Sequence, residues 1–227
     1  MILIAGASRG IGKYLLETFI NNGEEVSGTY LHTLPTEHLK KYYFKVDVEE
    51  PTTIVNWKNK FGSGLKNIVL INCVGINYNS YAHKADLKEW ERVVRVNLTG
   101  VFNVIHTFLP LMREQKYGRI INFSSVVARL ATPGASAYAA SKAGLWGLVK
   151  SIAAENASLN ITINNLNLGY FNIGMIEQVP EDYKEKIIEK IPAGKLGNPE
   201  NIYSIIKNII DNDYINASSI DINGGLL

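Results

Sequence analysis

Tyr138 and Lys142 stand four residues apart within 136–157, a stretch whose alanine-rich composition predicts a helix, so both fall on one face. A free phenol has a pKa of about 10 and is a poor acid–base group near neutrality, but a neighbouring ammonium favours its phenolate. Lowering it by two or three units takes about 3–4 kcal/mol of differential interaction. Ser125 stands 13 residues before Tyr138, just past a predicted strand over 119–124. Strand ends are where α/β sheets hold ligands. Its hydroxyl can bind a substrate oxygen while Tyr138 gives or takes a proton. Ser124 is the neighbour most easily mistaken for it. Each residue alone is ordinary: a packing tyrosine, a solvated lysine, a strand cap.

A second group of residues suits a different task. Gly6-Ala7-Ser8-Arg9-Gly10-Ile11-Gly12 follows the short apolar run Ile2-Leu3-Ile4-Ala5 and opens a helix. Glycines at 6, 10 and 12 let the backbone turn sharply and approach a pyrophosphate, whose charge the helix N-terminus favours.

These residues need a scaffold. Apolar periodicity predicts helices over 11–22, 51–61, 86–114, 136–157 and 199–210, with Gly23 closing the first and Pro110 a possible kink in the third. Strands are expected over 2–5, 25–30, 42–46, 67–72, 119–124, 161–166 and 217–222. Strands alternating with helices argue for a parallel sheet covered on both faces. Residues 170–193 are polar and mixed, and suit either a lid over a substrate or an amphipathic helix packed on the body.

Composition excludes several classes. The net charge is +2, which gives no reason to expect a nucleic-acid or membrane partner. Cys73 is the single cysteine, so no disulfide framework can form within the chain. Gly6 interrupts the apolar start, no signal peptide is expected, and no apolar run approaches a membrane span. A reducing, cytoplasmic setting fits. No metal site is expected.

The glycine spacing, Tyr138-Ala139-Ala140-Ser141-Lys142-Ala143-Gly144, the serine-to-tyrosine separation and Asn97-Leu98-Thr99-Gly100 together resemble the short-chain dehydrogenase/reductase family, closest to 3-oxoacyl-[acyl-carrier-protein] reductases. The resemblance extends along nearly the whole chain, to Ile191-Pro192-Ala193-Gly194-Lys195-Leu196-Gly197 and Asn223-Gly224-Gly225. It implies one doubly wound Rossmann domain over 1–227, with about seven parallel strands. It also implies hydride transfer between nicotinamide and a carbonyl or secondary alcohol, by a tetrad of Asn97, Ser125, Tyr138 and Lys142. Asn97 would help bind a water in a proton relay through the lysine. The cofactor would be held by Gly6, Ser8, Arg9, Gly10, Ile11 and Gly12, by Tyr30, Asp47 and Val48, by Asn72 and Gly75, by Tyr138 and Lys142, and by Gly169 and Phe171.

The chain departs from the family pattern at Ala5, where Thr is usual, at Cys73 and Val74 in Asn-Asn-Ala-Gly, at Leu168 before Gly169, and at Ile173, where a Thr often bonds the carboxamide. Tyr30, Leu31 and His32 offer no carboxylate at the end of the second strand, and Arg9 can face a 2′-phosphate, so NADP(H) is expected over NAD(H). The substrate stays open between a small-metabolite, sugar or secondary-metabolite ketone and a 3-oxoacyl thioester. Lys116 matches one basic position by which such reductases dock the acidic carrier, but Leu159 stands at the other. The alternative is a nucleotide-sensing or scaffold protein with little turnover. The family also implies a homodimer or homotetramer.

Overall fold

The computed structural model describes residues 1–227. Seven strands form one sheet: β1 (Ile2–Ala5), β2 (Val26–Tyr30), β3 (Tyr43–Lys45), β4 (Val69–Asn72), β5 (Gly118–Ser125), β6 (Ile161–Leu168) and β7 (Ser219–Ile222). Their order is β3-β2-β1-β4-β5-β6-β7, and every pair is parallel. The chain winds outward to β3, returns to β4 beside β1, and winds outward again. Where the direction reverses, the ends of β1 and β4 splay their following loops apart and leave a crevice.

Helices α1 (Gly10–Asn21), α2 (Pro51–Asn59), α3 (Leu87–Val94), α4 (Gly100–Gln115), α5 (Ser136–Asn156), α6 (Glu181–Lys190) and α7 (Pro199–Asp211) complete the fold. Two apolar cores lie on opposite faces of the sheet. On one, Trp57, Phe108 and Val149 from α2, α4 and α5 cover Leu3, Leu70 and Ile120. On the other, Phe19 and Ile206 from α1 and α7 cover Ile4, Ile71 and Ile121. Near-continuous apolar strands are the sequence counterpart of such two-sided burial. No helix is long and apolar enough to cross a membrane.

Three details differ from expectation. The helix expected over 86–114 is interrupted, although not at Pro110, which sits inside α4. It opens into a π turn over Arg95–Thr99, where Gly100 N–H bonds to Arg95 O across five residues. Such turns insert one residue into a helix and re-aim what they carry, here Asn97. β6 runs two residues beyond the expected end, because its polar residues are paired inside the sheet. Residues 170–193 hold a 3₁₀ turn, Gly174–Gln178, followed by α6.

A row of buried amides crosses the sheet on the α4/α5 side. Asn72 Nδ2 donates to Asn122 Oδ1 (2.8 Å), Asn122 Nδ2 to Asn165 Oδ1 (3.3 Å), and Asn165 Nδ2 to Ser219 Oγ (3.1 Å). These four residues stand directly opposite one another in register. The row stops at β1, where Ala5 faces Asn72 and the buried Asn72 Oδ1 has no partner.

Candidate active site

The turn between β1 and α1 is built by close backbone approach. Gly6 has φ +80°, and a Cβ there would lie 3.0 Å from Val74 N; at Gly12 it would lie 2.2 Å from Gly6 O. Neither contact leaves room for a side chain. Thr29 and Tyr43, on β2 and β3, fix the turn. Gly6 N–H donates to Thr29 Oγ1 (2.9 Å), Ala7 N–H to Thr29 O (2.8 Å), and the Tyr43 hydroxyl to Ala7 O (2.6 Å). No spacing in the sequence connects these two residues to the turn. No side chain caps α1 and its first turn carries no acid, so its free N–H groups and positive dipole end suit a phosphate.

From this turn a cleft of about 1000 Å³ runs outward past Tyr30 and Asp47 in one direction and to Ser125, Tyr138 and Lys142 in the other. Its size and its side-chain-free cradle fit a dinucleotide. Ser8, Arg9, Gly10, Ile11, Val48, Gly75, Gly169 and Phe171 also line it. Arg9 is exposed beside the glycines. One Asp47 carboxylate oxygen accepts Glu49 N–H at 2.9 Å. Gly75 adjoins the tetrad: a Cβ there would sit 3.6 Å from Lys142 Nζ. Phe171 and Tyr170 are anchored by a bridge to Gly197, whose N–H donates to Tyr170 O (2.9 Å).

Two expected residues do not line the cleft itself, although Asn97 stays beside Lys142: a Cβ at Gly75 would lie 3.7 Å from Asn97 Oδ1 and 3.6 Å from Lys142 Nζ. Asn72 is buried in the amide row and does not reach the cleft. Its place at a β-strand end matched a cofactor ligand, but its face points toward α4 and α5. Asn97 is buried behind the cleft wall. Its Oδ1 accepts Ile76 N–H (2.8 Å), and its Nδ2 donates to Ile76 O (2.9 Å) and Ser141 Oγ (3.2 Å). It therefore pins the Gly75–Ile76 wall to α5 at Ser141, the residue before Lys142.

Ser125 and Ser124 separate clearly. Ser124 Oγ donates to Lys142 O (3.1 Å) and accepts Trp146 Nε1–H (3.2 Å), so it is spent on packing α5 to β5. Ser125 Oγ accepts Val127 N–H (3.2 Å) and meets the Tyr138 phenol. Lys142 is buried, donates to Phe123 O (2.7 Å), and lies 5.6 Å from the centre of the Tyr138 ring.

Within the chain alone, burial dominates the electrostatics of this pair. Burial pushes the Tyr138 phenol up to about 12; its contact with Ser125 works against this, and the nearby Tyr170 phenol adds to it. Burial also pulls Lys142 down to about 8, opposed by the Cys73 thiol. Desolvation of the phenolate outweighs anything the lysine supplies within the chain.

Lys116 also lies elsewhere than at the cleft mouth. It closes α4 with φ +51° just before β5, and Leu159 falls just before β6, both at the sheet edge opposite the cleft. Eight residues of β5, about 26 Å of strand, separate the two edges within one chain.

Residues 1–184 match the short chain dehydrogenase family model. The chain is 34% identical to acetoacetyl-CoA reductase of Rhizobium meliloti over 234 residues, covering 98% of this chain and 96% of that one. It is 30% identical to 3-oxoacyl-[acyl-carrier-protein] reductase of Escherichia coli over 233 residues, covering 99% and 96%. A crystal structure from Agrobacterium tumefaciens, assigned provisionally as a gluconate dehydrogenase, shares the fold with a TM-score of 0.90 at 23% identity, over 100% of this chain and 95% of that one. The chain thus belongs to the short-chain dehydrogenase/reductase family of oxidoreductases and is similar to its 3-oxoacyl and acetoacetyl thioester reductases.

Proposed function

We propose that the chain is an NADP(H)-dependent ketoreductase. The observation that carries this is the meeting of Ser125, Tyr138 and Lys142 at one end of a cleft whose middle is the glycine turn. The cofactor supplies the hydride when bound. Gly6, Gly10 and Gly12 would hold its pyrophosphate against α1. Arg9 would face its 2′-phosphate, with no carboxylate at the end of β2 to oppose it. Ile173 brings no hydroxyl to the carboxamide, so backbone groups near Phe171 would serve there.

The chain's own residues handle the proton. Ser125 holds the carbonyl oxygen. Tyr138, kept protonated by its burial, donates to that oxygen as charge develops on it. The phenolate left behind lies beside the Lys142 ammonium, which stabilises it until a proton returns. Asn97 holds the Gly75–Ile76 wall beside Lys142, whose ammonium is itself held by Phe123 O. The family relatives named above suggest a ketone or 3-oxoacyl thioester as substrate class.

NADPH oxidation over a carbonyl panel tests this reading. Tyr138→Phe removes the proton donor and should cost about 10²–10⁴ in kcat with cofactor affinity kept. Tight NADPH binding with no turnover of any carbonyl by the native chain would point instead to a nucleotide sensor.

A further inference from the structure

The substrate end of the cleft has a chemistry of its own. Two loops meet beside Tyr138. Residues 77–80 follow the Gly75–Ile76 wall, and residues 132–135 lead into α5. Ser80 N–H donates to Gly134 O (2.9 Å), and Asp86 N–H donates to the Tyr78 hydroxyl (2.9 Å), so the first loop is held at both ends. Asn77, Asn79 and Thr132 from these loops line the cleft, and Tyr170 lines it from the segment after β6. Tyr170 lines the same cleft as Tyr138, a second phenol beside Ser125 and Lys142, and it adds to the rise in the Tyr138 pKa. Its backbone is pinned to Gly197. Val127 and Ile176 give this end an apolar floor.

Cations are scarce here. Of the three that line the cleft, Arg9 belongs to the glycine turn, and Arg92 lies 3.9 Å from the Glu89 carboxylate. Lys142 is spent on Phe123 O and Tyr138. Glu177 adds a negative charge, and α6 beyond it carries Glu181, Asp182, Glu185 and Glu189 against three lysines. A negative charge carried next to the reacting carbon would meet Glu177 and neutral amides among the lining residues.

We infer that this site takes a small, uncharged ketone bearing hydroxyls next to the reacting carbon, held by the Tyr170 hydroxyl and the Asn77 and Asn79 amides, in preference to ketones that lack such hydroxyls, acyl thioesters included. The inference rests on the ketoreductase reading and narrows its substrate. A site built to hydrogen-bond substrate hydroxyls rejects analogues that lack them, because its own polar groups are then left unpaired. The apolar floor takes the carbon chain, while the amides and phenol take its hydroxyls.

The test compares kcat/KM with NADPH for 1,3,4-trihydroxybutan-2-one, butan-2-one and acetoacetyl-CoA. The hydroxylated ketone should exceed butan-2-one by at least about 100-fold, a ratio in the range that hydrogen-bonding sites reach. It should also exceed the thioester. Tyr170→Phe should lower the ratio of the two ketones at least tenfold at unchanged melting temperature. Asn79→Leu, on a separate loop, should lower the same ratio and guards against misfolding of the first variant. Acetoacetyl-CoA as the best substrate, or equal turnover of the two ketones, overturns the inference and leaves the reductase reading intact. No NADPH oxidation with any of the three overturns both.

Discussion

The two ends of the cleft are made by different means. The nucleotide end is defined by backbone: three glycines, a helix N-terminus and strands that approach within van der Waals contact. The substrate end is defined by side chains from loops at 77–80, 126–135 and 168–179, which are far apart in sequence. Close backbone approach admits one residue type per position, so it leaves a fixed pattern in the sequence. A wall of side chains admits many solutions, so it leaves none. The nucleotide is written in the first kind of structure and the substrate in the second, while the reacting set between them is carried by the short spacing of Ser125, Tyr138 and Lys142.

The sharpest way to break this contrast is Gly12→Ala. Its methyl would lie 2.2 Å from Gly6 O, where backbone cannot yield. NADPH affinity measured by fluorescence titration should fall by more than about 100-fold, or the chain should fail to fold. Near-native affinity would show that the turn is looser than its geometry implies.

A pH profile comes next. Lys142 has its pKa lowered to about 8, while Tyr138 stays protonated to about 12. The basic limb of kcat/KM for ketone reduction should therefore fall near pH 8 and belong to the lysine. In Lys142→Arg, whose guanidinium keeps its charge, that limb should move upward by at least one unit. The sign for stability is opposite. The folded chain binds its Lys142 proton more weakly than the unfolded chain does, so this group's contribution rises from about pH 8 to 10.5 as the unfolded lysine gives up its proton. A limb unmoved by the arginine would reassign it.

Arg9→Ala probes the outer part of the nucleotide end, where an exposed side chain does the selecting. Loss of a charged hydrogen bond costs about 1.5–3 kcal/mol, so NADPH affinity should fall by about 10- to 100-fold with NADH nearly unaffected. Equal losses for both cofactors would remove Arg9 from the 2′-phosphate.

The smallest expected effect lies beneath the site. Ala5→Thr places a hydroxyl opposite Asn72, whose buried Oδ1 lacks a partner. A net gain of about 1 kcal/mol is expected, and a melting temperature higher by about 2–4 °C in calorimetry. A lower melting temperature would mean that the methyl group overpacks the site.

How far the sequence spoke follows the same division. Strand and helix order, the glycine turn and the Ser125–Tyr138–Lys142 set were legible, because periodicity and short spacings carry them. The π turn was not, since nothing in Arg95–Thr99 breaks helical periodicity. The end of β6 was misjudged because Asn164, Asn165 and Asn167 look like surface residues; only cross-strand partners make them interior ones. Asn72 stands at a strand end, where a cofactor ligand is expected, yet its side chain is buried beneath the cleft and donates to Asn122 within the sheet. Within the chain alone Lys142 does not lower the Tyr138 pKa, because both groups are buried, and that burial is invisible in a one-dimensional reading.

The amide row has a consequence for how the sheet assembles. Parallel strands in a chain of this length find their neighbours through long-range encounters, and apolar runs buried on both faces discriminate poorly between one alignment and the next. A shift of one residue on β5 or β6 would turn the Asn122 or Asn165 amide onto the opposite face, among Phe19 and Ile206, with nothing to bond. Misaligned sheets are thus penalised at every junction from β4 to β7, and the nascent fold carries its own proofreading.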